Sequence, residues 1–448
     1  MALSRIWAAF ILISIAVAGV RYAFVPADKE IFGQMVTGKA GDSIGVVAPA
    51  VPVIDSAAHG AKPLVKKQEA DGLLATAATA VTLSLGLIGV MALFMGLVSI
   101  AEAAGGMRWL ARVTGPFFSK LFPDVPRGHP AMGHMVMNFS ANLLGLDNAA
   151  TPFALKAMES LQEINPDKTR ASNSQIMFLC LHASGLQVIP ISVIALRATM
   201  NAPDPTDIFV PIVIATFITT VASMSIVAAW QRINLLQPAV FAWVGGISLV
   251  IAGLVVYLHS LTSEHVQAFS RALSGGLILL IFFIIVGVAL VRKVNIFDAF
   301  VQGAKGGFET AVRIIPYLVG MLAAISLLRT SGTFGAVMDG IRFLFTALGA
   351  DTRFVDGLPT ALIKPLTAAG ARGMLVSTMS VHGPASFAAR LSGIMQGASD
   401  STFYIVAVYF GAVGIRNTRY AIGAMLLADL VSLLSSIFLC YLFFGGTR

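Results

Sequence analysis

Amides, hydroxyls and ionisable groups gather in two stretches of an otherwise apolar chain. The first, Pro130 to Met158, reads PAMGHMVMNFSANLLGLDNAATPFALKAM and carries Asn138, Ser140, Asn142, Asp147, Asn148 and Thr151. The second comprises LPTALIKPLTAAGARGM (358–374), with Lys364, Thr367 and Arg372, and IMQGASDSTFYIVAVYFGAV (394–413), with Gln396, Ser399, Asp400, Ser401, Thr402 and Tyr404. Amides offer donors and acceptors together, hydroxyls offer both on one atom, and Lys and Arg offer donors with positive charge. Such a mixture binds and orients a small polar or anionic solute. Neither a nucleophile–base arrangement nor a phosphate-cradling glycine loop nor metal-ligand spacing is visible, so no catalytic residue, metal or cofactor is assigned. Asp147 is the sharpest of the group. An unpaired carboxylate in hydrocarbon would take up a proton, so Lys364 or Arg372 is its expected partner.

Each group also has a plainer reading. Asn side chains join membrane helices through interhelical hydrogen bonds, and Ser399-Asp400-Ser401 suits a helix N-cap. His182 is expected to be a hydrogen-bonded core residue. Glu102 and Arg329 read either as interfacial charges or as an ion pair between repeats.

The surroundings argue for a membrane setting. Of 448 residues, 57% are hydrophobic and 12% charged, against about 25% charged in soluble domains; mean hydropathy is +0.84. The net charge of +8 sits mostly in short loops, where it serves membrane orientation and attraction to lipid headgroups. A basic face with interleaved aromatics, the mark of nucleic-acid binding, is missing. Cys180 and Cys440 lie in apolar runs and read as core residues.

In chain order, residues 1–24 predict an N-terminal membrane helix and 25–73 an extramembrane loop or insert. Residues 74–231 form a first domain, 232–292 connecting helices, and 293–448 a second domain. Long spans are expected at Leu73–Ala101, Gln175–Ala198, Asp207–Trp230, Ala239–Leu258, Ala272–Val291 and Tyr420–Phe444. With the first helix, that puts four spans before Gln231. Residues 297–332 resemble 73–105, and in that register Arg329 falls opposite Glu102. Each half then repeats one order: long helix, amphipathic helix, polar broken segment, polar span, apolar span. Gly145 and Pro152 predict a helix break between them; Pro359, Pro365 and Gly370 mark its counterpart. Paired interruptions at matching places point to a transporter-like site. The expected fold is an all-α, polytopic transmembrane protein with two pseudo-symmetric halves, inverted relative to one another, and broken or re-entrant helices.

The phrases NFSANLLGLDNAATPFALKAM, IKPLTAAGARGM and GPASFAARLSGIMQGASDSTFYIVAVYFGAVGIRNTRYAIGAMLLADL, with HPAMG (129–133) and IIPYLVGMLAAIS (314–326), resemble the spore maturation protein A and B family, as a fusion of the two. The resemblance covers nearly everything except residues 25–73. It implies two nucleoside-recognition Gate domains, related to those of concentrative nucleoside transporters and of the membrane part of ferrous-iron transporter B. Asn148, Thr151, Pro152, Gln396, Ser399, Asp400, Thr402 and Tyr404 fit the family pattern, whereas the family usually has Gly where Asp147 stands. The expected function is to move a small polar or anionic solute, or a lipid-linked headgroup, across the bacterial cytoplasmic membrane. The expected partners are the lipid bilayer and that solute, with homo-oligomers left open. The alternatives are a non-transporting scaffold for envelope or peptidoglycan maturation and, less supported, an intramembrane enzyme.

Overall fold

The computed structural model describes residues 2–25, 28–38, 43–45, 67–69, 72–126, 128–143, 147–260 and 263–446. Helix α1 (Ala2–Phe24) is followed by α2 (Ile31–Thr37) and a small antiparallel ribbon, β1 (Ser43–Gly45) with β2 (Lys67–Glu69). The first repeat comprises α3 (Leu73–Ala103), α4 (Gly106–Leu121), α5 (Pro130–Leu143), α6 (Asp147–Glu163), α7 (Asn173–Ala183), α8 (Ile191–Thr199) and α9 (Phe209–Gln231). Helices α10 (Pro238–His259) and α11 (Ser263–Val291) connect it to the second. That repeat comprises α12 (Ile296–Thr330), α13 (Thr333–Ala347), α14 (Leu358–Ile363), α15 (Ala368–His382), α16 (Phe387–Gly397), α17 (Thr402–Ile405) and α18 (Ala421–Phe444).

Five described helices are long and apolar enough to cross a membrane: stretches of α1 and α10, and all of α3, α9 and α18. The expected span at 175–198 is instead split into α7 and α8, because Gly185 and Pro190 interrupt it and Gly185 takes φ +61°. The insert at 25–73 is also not all loop. Ile31 and Met35 of α2 are buried beside Ala18 and Leu327, since a short amphipathic turn can cover the apolar flank of α1 and α12. The rest of the insert lies largely outside the described residues.

The two halves are built alike down to their turns. In each, the long helix ends at a left-handed glycine, Gly105 (φ +83°) or Gly332 (φ +78°), followed by an amphipathic helix. A side chain would be strained there, so glycine sets the bend. It measures 67° between the end of α12 and α13. Each half also starts a short half-helix with a serine cap. Ser172 Oγ accepts from the Gln175 N–H while Gln175 Oε1 accepts from the Ser172 N–H, and Ser386 Oγ accepts from the Ala389 N–H.

The equivalent long helices run antiparallel. A Cβ added at Gly303 would lie 2.3 Å from the Met95 carbonyl oxygen, and one at Gly307 2.7 Å from that of Met91. Residue numbers thus rise on α12 as they fall on α3, and the Gly303-xxx-Gly307 face lets the two backbones touch. Arg329 lies 22 residues beyond Gly307, about 33 Å along a helix. Glu102 and Arg329 therefore occupy opposite ends of the pair and cannot bridge it. Helices α9 and α18 are antiparallel too: Gln231 Nε2 donates to Tyr420 Oη at 2.9 Å, joining the end of one to the start of the other. The repeats are inverted.

Loops tie each half to the other at both faces. Arg416 and Asn417 N–H groups donate to Thr169 O, and the Ala171 N–H donates to Asn417 O. At the opposite face Arg197, fully buried at the end of α8, donates to Asp207 Oδ1 at 2.7 Å and to the Pro384 carbonyl. Arg390 of α16 donates to Asp207 Oδ2 at 2.8 Å.

Candidate functional site

Helices α5 and α6 form a hairpin, and α14–α15 form its counterpart with a turn at 364–367. The first helix break falls before Pro152, which sits inside α6 near its start. It lies in the second turn, so its missing N–H removes one i→i−4 hydrogen bond and loosens the start of α6. Asn138 holds the first hairpin shut: its Nδ2 donates to Ala150 O at 2.7 Å, and its Oδ1 lies 3.0 Å from His182 Nδ1. Thr367 caps α15, accepting from the Gly370 N–H.

The half-helices α7 and α16 approach from opposite faces and meet tail to tail. The Asp400 N–H donates to Ala183 O at 2.7 Å, and Gln187 Nε2 donates to Gly397 O at 3.0 Å. A Cβ on Gly185 would stand 3.4 Å from the Ser399 carbonyl carbon, so the two unwound breaks cross almost in contact. Two helix C-termini pointed at one place collect partial negative charge, which favours cations there. Lys364 answers α16 directly: its Nζ donates to Met395 O at 2.6 Å and to the Gln396 carbonyl.

Between the breaks lies a cavity of about 110 Å³. The first half contributes Asn142, His182, Gln187 and Ser192; the second contributes Lys364, Arg372, Gln396, Ser399 and Asp400. His182 and Gln396 hold matching places, each ten residues after its serine cap. Two polar atoms here are buried with no hydrogen-bond partner, Arg372 Nε and Gln396 Oε1. Buried polar atoms are nearly always satisfied, so such a pair facing one cavity marks the position of a ligand or of ordered water.

The proposed site residues thus fall into three groups. Asn142, Lys364, Arg372, Gln396, Ser399 and Asp400 line the cavity. Asn138, Thr367 and Thr402 stand behind it and brace it; Thr402 Oγ1 donates to Asp429 Oδ2 at 2.7 Å. Thr151 and Tyr404 are exposed and stand apart from it. Helix α6 begins at Asp147 and Asn148, whose side chains lie outside the described ones. Lys364, expected with Arg372 as a candidate partner for Asp147, donates to two carbonyls of α16. His182 is hydrogen-bonded as expected, but it also faces the cavity.

Three contributors escaped the sequence reading. Gln187 and Ser192 are ordinary polar residues with nothing local to distinguish them. Asp429 had a signal: it is the one acid in the otherwise apolar α18, where an ionisable group is a functional candidate by default. Cys180 and Cys440 are both buried thiols, in α7 and α18.

The Gate model, described as nucleoside recognition, matches residues 84–200 and 311–416, once in each half. Spore maturation protein B of Bacillus subtilis (strain 168) is 44% identical over 166 residues, which are 36% of this chain and 92% of that protein. Spore maturation protein A of the same organism is 44% identical over 147 residues, 33% of this chain and 75% of that protein. A crystal structure of the YdaH transporter of Alcanivorax borkumensis aligns over 100% of this chain and 99% of its own, at 14% identity and a TM-score of 0.40. With most of both spore maturation proteins matched at that identity, this chain belongs to the spore maturation protein A and B family, as a multi-pass membrane protein with two Gate domains.

Proposed function

We propose that this protein is a carrier that moves a small anionic solute, one bearing a carboxylate or phosphate group, across the bacterial cytoplasmic membrane. The observation behind this reading is the pair of unpartnered atoms, Arg372 Nε and Gln396 Oε1, in a cavity built from both inverted halves. Arg372 offers a planar donor fork suited to a carboxylate or phosphate. Lys364 adds positive charge, and Asn142, Gln187 and Ser399 supply neutral donors. Size narrows the choice. A cavity of about 110 Å³ is well below the ~300 Å³ at which drug-sized ligand pockets begin. That size favours a small solute over a whole nucleoside. Sites at the interface of inverted repeats reach either face by rocking one half against the other, and the paired breaks give that motion its pivot.

The test is uptake by proteoliposomes of labelled phosphate, succinate and uridine. Phosphate or succinate should enter and uridine should not. Arg372→Ala removes charge-assisted hydrogen bonds worth about 1.5–3 kcal/mol, so it should weaken uptake at least tenfold, as should Gln396→Ala to a lesser degree. Leu434→Ala, on the outer face of α18, is the control. No anion flux, or flux unchanged in both cavity variants, refutes the carrier. A non-transporting scaffold would show neither flux nor stabilisation by any anion.

A further inference from the structure

A second cavity, of about 210 Å³, lies behind the first. It runs between α14, α16 and α18, and its mouth is flanked by Leu426 and Leu430, which are 37% and 50% exposed. Helix α18 contributes Asp429, Ser432 and Ser436 to its polar lining, as one stripe. Among the described residues, only Lys364 and Ser399 border both cavities. The Lys364 side chain is 5% exposed, and its Nζ sits on the carbonyls that end α16. In carriers with discontinuous helices, half-helix C-terminal carbonyls are where a coupling cation is held. Here a tethered ammonium fills that place.

Four charged groups converge on this point from separate elements. Lys364 comes from the α14–α15 turn, Arg372 from α15, Asp400 from the break after α16, and Asp429 from α18; the imidazole of His182 approaches from α7. Resting on the carrier reading above, we propose that Lys364 and Asp429 are its coupling pair: a proton enters through the second cavity, is shared between carboxylate and amine, and is required for an anion to bind in the first. The step balances as a proton transfer. The two groups exchange the proton through water in the cavity they both line: the Asp429 O–H bond breaks and the Lys364 N–H bond forms, turning carboxylic acid and amine into carboxylate and ammonium. Each proton the pair gains makes the shared site one charge more positive. Arg372 holds its charge throughout, so it supplies constant attraction and Lys364 the variable part. Anion and proton then move together, and sodium has no role.

Sulfate is the probe, because it does not titrate between pH 5 and 9. Its binding to the purified full-length protein is followed by calorimetry across that range, in sodium and in choline salts. The affinity should fall with rising pH, approaching about tenfold per unit once the pair has lost its proton, and should be equal in the two salts. Lys364→Met should weaken sulfate binding and flatten the pH profile. Asp429→Asn, which keeps size and the Thr402 contact, should shift or flatten the profile while acid-side binding persists. Binding that is intact yet independent of pH, or that needs sodium, overturns the coupling and leaves the anion site standing. A profile flattened by His182→Gln but not by Lys364→Met also overturns it. Absence of sulfate binding at every pH overturns the anion site itself, and with it this proposal.

Discussion

Replacing Asp207 with Asn tests how the two halves are held together. Its carboxylate bridges Arg197 from the first half and Arg390 from the second, at 2.7 and 2.8 Å. The side chains of Arg197, Asp207 and Arg390 are 0%, 6% and 15% exposed. Breaking a buried pair by removing one partner costs about 3–5 kcal/mol, mostly from the charge left behind. Two contacts soften the loss. Arg197 keeps the carbonyls of Asp204, Pro205 and Pro384 at 3.1–3.3 Å. Arg390 keeps the Phe444 ring, 4.6 Å away. We therefore expect the low end, about 3 kcal/mol. Unfolding in mixed micelles titrated with SDS, followed by circular dichroism, reads this directly. The double variant with Arg390→Gln should show a coupling of about 1–3 kcal/mol. A change below about 0.5 kcal/mol, the range of ordinary surface substitutions, would mean that carbonyls and water already satisfy both arginines. The lock would then be a contact without consequence.

Three further outcomes follow from the packing. Gly303→Leu should destabilise by at least about 1–3 kcal/mol in the same titration, because α3 leaves no room for a side chain; an unchanged midpoint would refute the close antiparallel approach. Asn138→Ala strips partners from Ala150 O and His182 Nδ1 and should cost about 1–3 kcal/mol. Hydrogen exchange in the first turn of α6 should rise with it, and unaltered exchange would count against the staple. At the loop before α7, the Thr169 N–H and then its hydroxyl hold the Asp167 carboxyl below its ordinary value of 3.8. Its stabilisation is therefore complete above that value and is lost as pH falls through the lower, folded one. Exchange at 165–172 should stay slow at pH 5 and quicken only below about pH 3.8; loosening already at pH 5 would contradict this.

Much of the architecture could be read from the chain, because membrane helices announce themselves locally. A run such as Ala421–Phe444 has few alternatives in hydrocarbon, where every backbone group must be paired within its own helix. Residues 73–105 and 297–332, the amphipathic helices and the polar breaks each sit at matching places, so the doubling of the fold was also visible. So was the clustering of Lys364, Arg372, Gln396, Ser399 and Asp400.

What the chain could not disclose was depth and partnership. The repeat register left Glu102 and Arg329 open as an ion pair or as separate interfacial charges, until the antiparallel packing of α3 and α12 placed them at opposite ends. A family-fitting tyrosine, Tyr404, turned outward, while Asn138, an equally good binder by type, was consumed in closing a hairpin. Asp429 reached the site only because α18 packs beside the break after α16. Polarity is a property of a residue and can be listed from sequence. Whether that polarity is satisfied by the protein or left open for a ligand depends on what packs across from it, and only the tertiary structure decides that.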